Sequence, residues 1–322
     1  MRRRSFLTGL VSVVARPLLV EAQPTKRVGV LYYGVPPGGT DLRALLDALR
    51  DLGWVDGRNL VLDIRYAEGR TERFPELAAD VVRQKPDVVV AVSTPGSVAA
   101  KNVTNTIPIV MLAVSDPVGT KLVPNLARPG GNITGLSLLA PELSAKRVDL
   151  LKQTLPRLSR MAVLWNVQNE GMQLRFREVS AAAPALGIQV LSFGVRHPTE
   201  FDEAFAAMRR EHPEALLVMA DAVTVAHRHR TVEFAETNRI PAIYEVREFV
   251  DAGGLMSYGI SMAEHFRRGA SFVDRILKGV PPADLAIEQP SRFELIVNQR
   301  TAKTIGFTVS PSVLLRADQI IE

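Results

Sequence analysis

Among its 322 residues the chain has no cysteine. That excludes disulfides, cysteine metal sites, thiol nucleophiles and the cysteine on which a bacterial lipoprotein is anchored. A core of this length needs no covalent staple, so the absence is compatible with export. Nor is there an apolar run of about 18 residues, the least that a membrane-spanning helix requires. No glycine-rich phosphate loop follows a strand, because Gly34 to Gly39 is interrupted by prolines where a helix should begin. A Gly-x-Ser-x-Gly elbow is missing, as are a helix-turn-helix segment and a basic aromatic stripe. His227 and His229 stand two apart on a predicted helix and face different ways, and the other histidines are scattered. These absences predict no metal, no cofactor, no nucleic-acid partner and no enzymatic activity.

What is present is 47% hydrophobic and 23% charged, the composition of a soluble globular protein. The formal charge of +5 is a weak argument for a polyanionic partner. Four arginines and one glutamate lie in the first 22 residues, and the remainder carries only +2. That first segment reads as an export signal. Arg2–Arg4 supply a positive start and Phe6–Ala15 an apolar stretch; Val20 and Ala22 are the small residues of a cleavage site before Gln23. Arg3-Arg4-Ser5-Phe6-Leu7 is similar to a twin-arginine signal, although Arg2 stands where Ser or Thr is usual, so export by Tat or Sec is left open. With no anchor, the expected location is the periplasm.

From Arg27 onward, apolar runs of four to six residues alternate with segments of helical periodicity, the mark of parallel sheet with crossover helices. Two βα series of similar size follow one another, divided near Arg128-Pro129-Gly130-Gly131. Beyond residue 254 the chain holds too few elements for a third domain. The tail is therefore predicted to cross back and complete both lobes. The predicted partition is a signal at 1–22, a first lobe of 27–133 with about 254–286, and a second of 134–253 with about 287–322. Ligands of open α/β sheets sit outside the carboxyl ends of the strands. The polar residues at those tips are Tyr33, Ser93, Thr94, Ser115, Asp116, Asn166, Asp221, Tyr244 and Ser257. Together they form the candidate ligand-binding set. Singly, Ser93, Thr94, Asp116 and Asp221 also suit helix N-caps.

Four stretches carry a family resemblance: LRDLGWVDGRNLVLDIRYAEG (49–69), TIPIVMLAVSDPVGTKLVPNLARPGGNITGLS (106–137), IPAIYEVREFVDAGGLMSYG (240–259) and ILKGVPPADLAIEQPSRFELIVNQRTAKTIG (276–306). The chain resembles the periplasmic substrate-binding proteins of ABC transporters, in the group with tryptophan- and tyrosine-type binding components. The resemblance implies a two-lobed α/β periplasmic-binding-protein fold of type I, with three hinge crossovers. A small solute, an amino acid or an aromatic or organic acid, is held between the lobes and delivered to the membrane permease subunits by a monomeric protein. After Trp165 and after Asp221 the sequence departs from the family pattern, which puts a stacking partner for an aromatic ligand in doubt. The competing reading is an exported hydrolase using Asp116 or Glu245 in the same cleft.

Overall fold

The computed structural model describes residues 25–138 and 141–322. The export signal read at 1–22 lies outside them. The chain opens with β1 (Lys26–Tyr32), α1 (Thr40–Asp51), β2 (Leu60–Tyr66), α2 (Phe74–Arg83), β3 (Val88–Val92), α3 (Thr94–Val103), β4 (Ile109–Val114) and β5 (Ile133–Ser137). These strands form one parallel sheet in the order β2-β1-β3-β4-β5. Its central strand, Val88–Val92, is buried at every residue, because helices cover both faces and no position can be polar. α1 turns Leu42, Leu45 and Leu49 inward at helical spacing.

The second lobe follows with α4 (Pro141–Thr154), β6 (Arg160–Asn166), α5 (Glu170–Ala182), β7 (Gln189–Val195), α6 (Phe201–Glu211), β8 (Ala215–Val218), α7 (Ala222–Ala226), α8 (Arg228–Thr237), β9 (Ala242–Tyr244), α9 (Arg247–Asp251) and β10 (Met256–Gly259). The chain then returns to the first lobe with α10 (Met262–Leu277), and to the second with β11 (Glu294–Asn298), α11 (Gln299–Thr304), α12 (Pro311–Leu314) and β12 (Gln319–Ile321). The second sheet has the order β12-β11-β10-β9-β8-β6-β7, with β10 and β11 its one antiparallel pair. Among the described residues no helix is long and apolar enough to cross a membrane.

α10 is the cover of the first sheet. A Cβ on its Gly269 would stand 2.6 Å from the Leu112 side chain, so only glycine lets the helix approach β4 this closely. Asp274 of the same helix accepts a hydrogen bond from Trp54 Nε1 at 2.9 Å. The next segment stays on that lobe as far as Glu288, whose backbone pairs with Gly135 and Ser137 at 3.1 and 2.9 Å. The chain thus passes between lobes three times: after β5, between β10 and α10, and between Glu288 and β11.

These crossings correct the predicted boundaries. β5 lies wholly in the first sheet, where the sequence ended that lobe at residue 133; β10 lies in the second, where the sequence assigned it to the first. The reason is connection length. α9 and Gly253-Gly254 return the chain beside β9, with Met256 against Ile243 and Ser257 against Tyr244. A turn that short cannot reach the other sheet. The predicted helix that carries His227 and His229 is two, α7 and α8, meeting at His227. After α11 and α12 the chain adds an edge strand, β12, parallel to β11.

Candidate functional site

The two sheets turn their carboxyl ends toward each other, and residues of both lobes line the space between. The first lobe contributes Tyr33 after β1, Ser93 at the end of β3, and Ala113, Ser115 and Asp116 from the end of β4. Its face is shaped by backbone. Ser93 has φ +74 and ψ 162, a region almost reserved for glycine. Its N–H donates to the Leu112 carbonyl at 2.9 Å, and its hydroxyl accepts from Gly96 N–H at 3.4 Å as the cap of α3. Ala113, at φ +56, marks a shift of register in β4. The N–H of Ala113 donates to Nε2 of the buried His265, and burial holds that imidazole down at about 4. Asp116 Oδ1 accepts from Val118 and Gly119 N–H at 3.1 and 2.8 Å. The Tyr33 hydroxyl donates to Asp41 Oδ2 at 2.6 Å; burial beside that carboxylate raises the phenol well above its ordinary value.

The second lobe brings side-chain charge. Glu245, 3% exposed, follows β9 and gathers three donors. Arg147 Nη1 of α4 donates at 2.8 Å, Arg175 of α5 donates to the same oxygen, and Ala220 N–H donates to the other at 2.7 Å. Arg147 also donates from Nε to the Tyr258 carbonyl at 2.7 Å. Burial lowers its guanidinium to about 10, against the opposing pull of Glu245. Beside this group Asp221 caps α7, accepting from Val223 and Thr224 N–H at 3.0 and 3.1 Å. The Thr224 hydroxyl accepts in return from Asp221 N–H at 2.9 Å, completing a capping box. Asn166 Nδ2 donates to the other Asp221 oxygen at 2.6 Å. Burial raises the Asp221 carboxyl, and these hydrogen bonds resist the rise.

The lobes touch at the first turn of α5. A Cβ on Gly171 would lie 2.9 Å from both Ser115 Cβ and Thr94 Oγ1 across the cleft. The approach is closer than any other residue tolerates, so the lobes stand closed on each other.

Of the nine predicted residues, Tyr33, Ser93, Ser115, Asp116 and Asp221 line the cleft. Four do not. Thr94 lies just behind, its hydroxyl accepting from Ser115 N–H at 3.4 Å. Asn166 is fully buried beneath Asp221. Successive strand residues alternate in direction, so with Glu245 turned into the cleft Tyr244 points the other way and stacks on Phe249 at 4.7 Å. Ser257, paired with Tyr244 in register, is buried on that same side. Sequence reasoning passed over Arg147, Arg175, Glu178 and Glu248, all on helices. The available signal was a charge on an apolar stripe, as Arg147 between Leu143 and Leu151 at helical spacing. Among the described residues no group of three or more His, Asp or Glu could hold a metal ion.

The family described as ABC transporter substrate binding protein matches residues 40–321. The chain belongs to this family. A curated relative, the "Tyrosine-binding protein" of Clostridioides difficile (strain R20291), is 28% identical over 264 residues, covering 82% of this chain and 75% of that one. A solved conserved domain protein from Vibrio cholerae superposes with TM-score 0.87 at 29% identity, covering 92% of this chain and 99% of that one. An ABC domain from Streptococcus pneumonia, solved in complex with L-Trp, gives 0.83 at 26% identity, with 92% and 100% covered. The fold is that of the type I binding proteins, and this ABC substrate-binding protein works by holding a small solute between its lobes.

Proposed function

We propose that the protein is a periplasmic receptor for an amino acid, which it closes on and presents to the permease of an ABC importer. One observation carries the reading: a single cleft is lined from both lobes, at the carboxyl ends of both sheets. A solute that touches both faces stabilises the closed state by its contacts to each. An amino-acid ligand is supported by the tyrosine-binding relative and by the relative complexed with L-Trp. The chemistry of the faces agrees. Hydroxyls of Ser93 and Ser115 with the start of α3 suit a carboxylate, and the carboxylates of the second lobe suit an amine. Glu245, the candidate base of the hydrolase reading, has its oxygens taken by three donors and serves as an anchor.

Export through the segment before Gln23, and action as a monomer, belong to the same proposal. The test is native mass spectrometry of the chain from Gln23, with small-angle scattering before and after removal of any co-purified solute. Release of an intact amino acid with expansion of the protein is the expected result. A radius of gyration indifferent to every bound solute would overturn the closure mechanism, and a chemically altered solute would revive the hydrolase.

A further inference from the structure

We infer that the cleft selects its solute by a cationic amine on an apolar body, and that Glu248 is the carboxylate that receives the amine. The inference rests on the solute-binding reading and adds to it which charge is recognised. The cleft is lined by two guanidiniums against five carboxylates. Both guanidiniums, Arg147 and Arg175, are committed to Glu245. One carboxylate does not balance two guanidiniums, but over the whole lining the carboxylates still outnumber the cations by three. The carboxylates are less provided for. Asp116 is occupied by the amides of the turn that follows it, Asp221 by the first amides of α7 and Glu178 by the Ser144 hydroxyl at 2.9 Å, and none of these three meets a cationic side chain within salt-bridge distance. Glu248 has least of all: it lines the cleft, and its buried Oε2 has no hydrogen-bond partner.

A buried carboxylate oxygen without a partner is costly, and in an otherwise satisfied protein it marks where a partner is supplied from outside. Glu248 stands on α9 of the second lobe, with Tyr33 and Asp41 of the first lobe close enough to feel its charge. Asp251 of its own helix adds a further negative charge, and Arg228 of α8 opposes them. Arg228 is turned to the Val225 carbonyl, to which it donates at 3.1 Å. The potential at this point therefore favours a cation and rejects an anion. The remaining wall is apolar, with Leu138, Leu143, Leu174, Val225, Ile260 and Met262 around the polar groups. It offers room for a hydrophobic side chain and nothing to hold a second charge there.

Burial has a further consequence. The Glu248 carboxyl is pushed up to about 7, so near neutral pH part of the population holds a proton there. An arriving ammonium favours the ionised form, and the proton leaves to the buffer. Binding is then proton-linked.

The experiment uses matched triplets on the chain from Gln23, stripped of solute. One triplet is L-leucine, 3-methylbutylamine (its carboxyl removed) and 4-methylpentanoate (its amine removed). The other is L-tyrosine, tyramine and 3-(4-hydroxyphenyl)propionate. Isothermal titration at pH 7 in two buffers of different ionisation enthalpy gives affinity and protons released. The expected result is that within a triplet the amine binds more tightly than the acid. Glu248→Gln should weaken the amine-bearing members roughly ten- to hundredfold, the worth of a charge-assisted hydrogen bond, and abolish proton release. Two results would overturn the inference and leave the solute-binding reading intact: an acid that outranks its amine, or wild-type affinity in Glu248→Gln. Failure of both triplets beside a co-purified solute that lacks an amine and closes the lobes does the same. Failure of every solute to close the lobes removes the underlying reading as well.

Discussion

The two faces of the cleft are made of different materials. On the first lobe the wall is backbone: Ser93 and Ala113 in left-handed conformations, the start of α3, and a neutral His265 propping an amide from behind. On the second lobe it is charge, with Glu245 binding two guanidiniums and Glu248 Oε2 left without a partner. A face of fixed dipoles changes little with salt until its backbone moves. A face of paired charges depends on each member of the pair. On the proposed reading each lobe suits a different end of a zwitterion, and closure brings the two faces onto it.

The contrast breaks most severely at Glu245. Glu245→Ala strands two guanidiniums, Arg147 being only 3% exposed, and should cost about 3–5 kcal/mol in urea unfolding. Next is the proton sensitivity of the first lobe. The His265 imidazole sits at about 4 against an ordinary 6.5, so the unfolded chain binds a proton that the folded chain refuses. Stability is whole above pH 6.5 and falls as pH drops toward 4, by about 3 kcal/mol for that shift. In His265→Gln this part of the slope should vanish from a series of denaturation curves against pH. Smaller again is the meeting of the faces. Gly171→Ala places a methyl against Ser115 and Thr94, costing about 1–3 kcal/mol of the closed state only. Ligand affinity should then fall about tenfold or more, with the melting temperature of the empty protein unchanged. Least is the relief of strain. Ser93→Gly should raise stability by about 1 kcal/mol, because glycine accepts φ +74, while weakening ligand binding through the lost hydroxyl.

Most of the fold was legible because buried parallel strands such as Val88–Val92 can only be apolar, and because helices such as α1 keep their stripe. Sheet membership was harder to read. β5 and β10 are short apolar runs like any other, and which sheet receives them depends on the length of the connection, not on their composition. The site was half legible for a related reason. Strand tips can be located by period, but the phase of β9 is set by Glu245 reaching Arg147 of a helix about a hundred residues earlier. That phase sends Tyr244 into the core. Arg147 and Arg175 belong to helix faces, where a charged residue within an apolar stripe was the one clue.

The helix α10 also governs the order in which the protein can be assembled. It lies over β4, and its Asp274 takes a hydrogen bond from Trp54, 220 residues upstream. At about 5–20 residues per second, a ribosome makes that intervening chain in roughly ten to forty seconds. All five strands of the first sheet are synthesised before the helix that roofs them, and the second lobe awaits β11 and β12 beyond that. Neither lobe is a separate folding unit in time. A chain stopped before Met262 is a sheet with one face covered by α1 alone, a natural client for the chaperones that escort nascent proteins.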